Sequence, residues 1–184
     1  TETRATIEAL NERVARMAAV LLRDRRFHDA EVAYREVIKS DSKNADLYDG
    51  LGVSLIMQGQ VRESLDSFDK ALKFAPESGR LRVHRAMARI ELGKYGEAEQ
   101  DLKAAESSPN PDDRLDGRVN RGRMRQRQGD FPGAEFEFSG ALSHDPKSFD
   151  ALVGRGASRE AQSNFSGAAE DYLEAVRIQP KNAD

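Results

Sequence analysis

The chain has 184 residues, 38% of them hydrophobic at a mean hydropathy of −0.72, and carries 29 basic against 32 acidic side chains for a net charge of −3. That is polar for one thick core and suits an array of thin layers, and the charge balance gives no general attraction for a polyanion such as a nucleic acid. Having no cysteine excludes disulfides, thiolate catalysis and cysteine-ligated zinc, and no apolar run is long enough to span a membrane.

In chain order, residues 1–10 ("TETRATIEAL") are expected to precede or extend a first helix, with Ile7 and Leu10 as its apolar residues. The chain opens on Thr1 rather than methionine, which leaves an upstream signal or anchor open. From Asn11 onward apolar residues recur at helical spacing in two blocks per unit, separated by a short polar break. Three breaks share a glycine: Gly59 in "IMQGQVRES", Gly93 in "IELGKYGEA" and Gly129 in "RQRQGDFPGA", spaced 34 and then 36 residues apart. The same steps link Ala18, Gly52, Ala86, Gly122 and Gly156, and again Ala30, Ser64, Ala98, Ala134 and Ala168; the two extra residues fall in "SSPNPDD" at 107–113. Five units follow, at 11–44, 45–78, 79–114, 115–148 and 149–182, with 183–184 as a tail or the start of a further unit. The expected fold class is all-α: five helix pairs, with first helices near 11–24, 45–58, 79–92, 115–128 and 149–162 and second helices about two residues after each. The small residue midway along each first helix admits the second helix closely, and Tyr34, Phe68, Leu102, Phe138 and Tyr172 supply the bulk. Asp130 is placed to cap the second helix of the fourth unit, with Pro132 in its first turn.

The second unit, "ADLYDGLGVSLIMQGQVRESLDSFDKALKFAPES", resembles the tetratricopeptide repeat (TPR). Tyr48, Leu51, Gly52, Leu55, Ser64, Phe68, Ala71 and Pro76 stand where that family places its large, small and breaker residues, and the resemblance extends over about residues 11–182. It implies a right-handed superhelical solenoid whose concave face binds a peptide or protein segment, with no catalysis and no cofactor. Ser42 replaces the closing proline of unit one, the prolines of unit three are displaced to 109 and 111, and Arg82 and Arg118 replace the usual large apolar residue.

The segment "RVNRGRMRQRQGDF" at 118–131 puts five arginines in ten positions and, taken alone, looks like a phosphate-binding tract. Aligned in the repeat, Arg121 matches Arg85 and Arg155, and Arg125 matches Arg89 and Arg159. Sixteen residues after the first set stand Asp101, Glu137 and Asp171, whereas Met17 and Leu51 in units one and two are followed at that distance by Ala33 and Ser67. Charge on both members or on neither predicts the within-pair ion pairs Arg85–Asp101, Arg121–Glu137 and Arg155–Asp171 as a packing solution. The resemblance places Arg123 and Arg127 on the concave side, together with Val53, Met57, Val83, His84, Met87, Val119 and Asn120. Two readings stand: a solvated helix face, or a groove with an apolar middle and a basic end. The groove would take an acidic residue beside an apolar anchor packed near Val83, Met87 and Val119, with Gly50 and Gly154 leaving it room.

His28, His84 and His144 fall at three different repeat positions, so no shared metal site is expected. "GRGAS" at 154–158 lies inside a first helix, where a phosphate loop does not form, and no catalytic set stands out. Glu97, Glu99, Glu170 and Glu174 are expected as exposed helix formers. A co-chaperone subfamily holds a terminal carboxylate with lysine, asparagine and arginine; the matching positions here carry Asp49, Val53, His84, Asp116 and Asn120, so that role is rejected.

The functional expectation is a non-catalytic scaffold binding a protein segment, with no nucleic acid. Two narrower alternatives are an outer-membrane lipoprotein assisting pilus or secretion-channel assembly, and the regulatory or substrate-binding arm of a larger enzyme such as a glycosyltransferase. The compartment follows the choice: cytoplasmic, or periplasmic and outer-membrane associated if a signal preceded Thr1. The ratio of 21 arginines to 8 lysines points to a bacterial source. "KNAD" at 43–46 opens unit two and recurs at 181–184, which predicts either a longer protein or an end-to-end contact through Tyr172 and Val176.

Overall fold

The computed structural model describes residues 2–178, with side chains from Ala5 onward. Among these residues there are ten helices and no strand: α1 (Glu2–Arg23), α2 (Phe27–Ser40), α3 (Ala45–Ile56), α4 (Val61–Phe74), α5 (Gly79–Glu91), α6 (Tyr95–Ala105), α7 (Pro111–Arg127), α8 (Phe131–His144), α9 (Phe149–Ala161) and α10 (Phe165–Ile178). The chain forms two compact units, residues 1–98 and 99–184, divided inside α6. In the first unit α1 packs on α2, α2 on α3, α3 on α4 and α4 on α5; in the second α7 packs on α8, α8 on α9 and α9 on α10. First helices also meet directly, α3 with both α1 and α5, and α7 with α9, so each unit presents a face made of first helices.

Each first helix ends the same way, and the sequence dictates how. Gly59, Gly93 and Gly129 sit at φ of 76°, 71° and 77°, the left-handed region open to glycine at little cost. The reversal is closed by a pair of bonds such as Gln60 N–H to the Leu55 carbonyl (2.9 Å) and Gly59 N–H to the Ile56 carbonyl (3.0 Å), which satisfy the last carbonyls of the helix. Arg25 and Ser163 take the equivalent places in units one and five at φ of 60° and 61°, with the steric cost that glycine avoids.

Several starts are capped by short polar side chains, while those of α2, α4 and α9 have no side-chain cap. Asn44, Ser78, Asn110 and Asp130 accept the backbone N–H of Asp46, Leu81, Asp112 and Gly133 respectively. The start of α7 differs from expectation: it begins at Pro111, four residues before position 115. Asn110 as cap, proline in the first turn, and Asp112 and Asp113 at the positive end of the helix all favour starting there. The last three residues of "SSPNPDD" are therefore helix, while α6 ends early at Ala105.

The small-residue positions do what their spacing implies. A Cβ at Gly52 would lie 2.4 Å from the Phe68 ring, at Gly122 2.7 Å from Phe138, and at Gly156 2.7 Å from Tyr172. Two of the aromatic rings also serve the next pair: Tyr34 fills the space at Gly50, and Phe138 that at Gly154. The space expected at Gly50 and Gly154 for a ligand is thus already occupied by the rings of the preceding second helices. Around them run the cores: Ala18, Ala30, Tyr34, Val37, Leu47, Leu51 and Leu55 in the first unit, and Val119, Phe138, Ala141, Leu142, Ala151 and Leu152 in the second.

Candidate protein-binding face

In residues 1–98 the first-helix face is built by α3 and α5. Asp49 is buried there and is answered from two sides: His84 Nδ1 lies 2.6 Å from Asp49 Oδ1, and Arg80 Nε lies 3.3 Å from Oδ2. A carboxylate only accepts, so Nδ1 carries the proton. Arg80 also donates to Asp46 at 2.5 Å, and the His84 ring lies 5.8 Å from Phe68. These charges are satisfied within the face. Burial, with Asp49 and Asp46 nearby, raises the Tyr34 phenol above its ordinary value and keeps it neutral beneath the cluster. Beside it are Val53 and Met87, both partly covered, and Met57, which is 51% exposed.

In residues 99–178 the corresponding face belongs to α7 and α9. Arg123 donates to Asp150 at 2.8 Å, both side chains being well exposed. Gln126 Nε2 donates to the Gly154 carbonyl and to Ser158 Oγ, each at 2.9 Å, tying the two first helices together. Arg127 is exposed in the last turn of α7.

Three of the expected groove residues are not on the surface. Val83 is 3% and Val119 4% exposed, so neither can anchor a ligand. At the same repeat position Asp49 on α3 reaches His84 on α5 within the first unit, and Val119 packs in a core with Ala151 and Leu152 of α9 within the second. Val153, the equivalent on α9, is exposed. Asn120 is buried and spends its amide on the Asp116 carbonyl at 2.8 Å. Arg80, Asp46 and Asp150 were not singled out from sequence; the signal was present, since Asp46 and Arg80 hold the same repeat position 34 residues apart with opposite charge.

The arginines of units four and five lie between two second-helix segments rather than against one. Arg155 makes the paired contact with Asp171, at 3.0 and 2.6 Å, and also reaches Ser139 on the preceding second helix. Arg85 donates to Asp69 on the preceding α4 at 2.8 Å; Asp101, its expected partner, is buried in α6. Arg121 has its expected partner Glu137 within reach and two nearer ones that were not expected. Glu106 is nearest at 2.5 Å and Glu99 next at 3.2 Å, both on the preceding second-helix segment, while Glu137 stands at 4.0 Å and lies 3.6 Å from Arg125. Glu99 and Glu97 are accordingly ion-pair partners rather than plain surface residues, Glu97 lying 3.4 Å from Arg89. On α9, Arg159 bridges Glu135 at 2.8 Å and Asp171 at 2.9 Å, and the Arg159 hydrogen bond holds the Glu135 carboxyl below its ordinary range despite partial burial.

Among the described residues no group of three or more potential ligands could hold a metal, and no helix is long and apolar enough to cross a membrane. The tetratricopeptide repeat profile matches residues 16–79, 51–114 and 119–183. The probable UDP-N-acetylglucosamine–peptide N-acetylglucosaminyltransferase SPINDLY of Solanum lycopersicum is 32% identical over 88 residues, which are 47% of this chain but only 10% of that protein. A thermophilic TPR protein of Thermus thermophilus superposes with a TM-score of 0.84 at 17% identity, over 93% of this chain and 92% of the other. YrrB, described as a TPR protein with an unusual peptide-binding site, has a TM-score of 0.57 at 25% identity, over 91% of this chain and 86% of its own. With helix pairs, glycine reversals and small-residue joints recurring in the register that the profile matches, the chain belongs to the tetratricopeptide repeat family.

Proposed function

We propose that the chain is a non-catalytic scaffold that holds a protein segment against its first-helix faces. The observation that carries this is the exposure of Met57, with Val53 and Met87 only partly covered, on a face whose charged groups are already paired. Apolar surface that the core does not use, beside neutralised charge, suits an apolar side chain of an extended segment. Methionine is unbranched and polarizable, and moulds itself to such an anchor. On α7, Arg123 and Arg127 favour an acidic residue, Arg123 by exchanging its exposed partner Asp150. The peptide-binding site named for YrrB supports the same reading.

The test is selection of peptides from a displayed random library, followed by fluorescence anisotropy. The double variant Met57→Glu, Met87→Glu is expected to weaken apolar-anchored peptides by tenfold or more, about 1.4 kcal/mol, with the melting midpoint nearly unchanged. Equal affinity in the variant, or a library that yields no binder, would sink the reading. A second reading, the substrate-binding arm of a larger enzyme, is favoured by the match to the glycosyltransferase. The full-length gene discriminates: a long downstream catalytic region supports the arm, whereas a signal peptide with a lipid-attachment cysteine supports an outer-membrane lipoprotein.

A further inference from the structure

We propose that a second copy of this chain docks its α1 against α10, so that copies associate head to tail. The two surfaces are the halves of one joint, and the internal joints show how they fit. On α10, Val176 is 47% exposed, whereas Leu72 and Leu142 at the same repeat position are each 8% exposed beneath the next pair. Leu173, one turn before it, is exposed too. On α1, Met17 is 64% exposed and Val20 is also uncovered, whereas the equivalents of Val20 on α3, α5 and α9, which are Ser54, Ala88 and Ser158, are fully buried.

Charge selects the occupant. In the α4–α5 joint Arg85 meets Asp69, and in the α8–α9 joint Arg155 meets Ser139 while Arg159 meets Glu135. On α10 the places of Asp69 and Ser139 are taken by Leu173, and that of Glu135 by Ala169. A helix carrying arginines as α5 and α9 do would find no carboxylate at these places of α10, losing the partner that Asp69 gives Arg85 and Glu135 gives Arg159, at a desolvation cost. The helix accepted by α10 has apolar residues at both places, and α1 has them, as Met17 and Leu21. Tyr172 would then lie against Arg16. The joint tolerates a large residue at that position, since His84 stands there against Phe68 with ring centroids 5.8 Å apart. The contact is heterologous, each copy offering a different surface.

Sedimentation velocity on residues 1–184 tests the proposal. The unaltered chain is expected to show a sedimentation coefficient that rises with concentration. Met17→Glu, Val20→Glu in one copy and Leu173→Glu, Val176→Glu in another should each abolish association alone. Mixed one to one they should form a heterodimer and nothing larger, because one good α1 and one good α10 remain. Circular dichroism checks the fold of each variant, and Leu173→Gln, Val176→Gln replaces any glutamate pair that lowers helicity. A chain that stays monomeric at all concentrations, a mixture that does not associate, or an α1 variant that still dimerises alone through a symmetric α10 contact would each overturn it. So would a native protein in which a following helix pair covers α10.

Discussion

Arg121 reaches Glu106 and Glu99 on one side and Glu137 on the other, with 9% of its side chain exposed. Burial alone would lower its pKa; Glu106, Glu99 and Glu137 outweigh it and raise the value, so the guanidinium stays charged. Truncation would strand the carboxylates: Arg121→Ala is expected to cost about 3 kcal/mol, against less than about 1 kcal/mol for Arg123→Ala with its exposed partner, both read from urea denaturation. Equal costs would contradict the division of roles. The Asp171 partner of Arg155 was legible in the sequence because both residues belong to one helix pair at a fixed distance. Asp69 and Glu106 were not, because they sit on the preceding pair and their offset shifts where α6 is short. A second residue-scale prediction concerns the reversals. Ser163→Gly should stabilise and Gly93→Ala destabilise by about 1 kcal/mol each, since both positions hold φ near 60–70° and a Cβ at Gly93 would meet nothing. Opposite signs in thermal denaturation would contradict this.

At the scale of a helix, the close approach at Gly122 sets the pairing of α7 with α8. A methyl group there would press on Phe138, whose ring also packs at Gly154, so Gly122→Ala is expected to cost about 1–3 kcal/mol through strain spread over two joints. Denaturant midpoints check it, with Gly96→Ala, where a Cβ meets nothing, as the control. The start of α8 makes a pH prediction. The Gly133 N–H bond, helped by Arg125, depresses the Asp130 carboxyl below its ordinary value. A depressed folded value means that its stabilisation is present above the unfolded pKa, about 3.9, and is lost as the pH falls through the lower folded value. Asp130→Asn keeps a capping side chain without the charge, so its melting temperature should fall less than the parent's between neutral and strongly acid pH. Parallel curves would contradict this. Helix number and the small-residue joints were legible because each rests on a period repeated five times. The start of α7 was not, because it depends on one local cap that breaks the period.

For the molecule as a whole, the repeat sets which helices share a face, and the packing around each position sets which side chains reach it. First helices meet within each unit, α3 with α5 and α7 with α9, but whether a given side chain reaches the surface depends on what packs over it: Val119 lies in a core with Ala151 and Leu152 of α9, Val83 is buried and Val153 is exposed. Net charge contributes little, so salt should weaken only ligands that engage Arg123 and Arg127. The central claim is that the first-helix faces bind a protein segment. Amide NMR of the chain titrated with a library-selected peptide tests it most directly. Shift changes are expected on the first helices of each unit taken separately, at Val53, Met57 and Met87 of the first unit for peptides with an apolar anchor and at Arg123 and Arg127 of the second for peptides with an acidic residue, with no saturating change on the second helices α2, α4, α8 and α10. Saturable shifts confined to those second helices would contradict it.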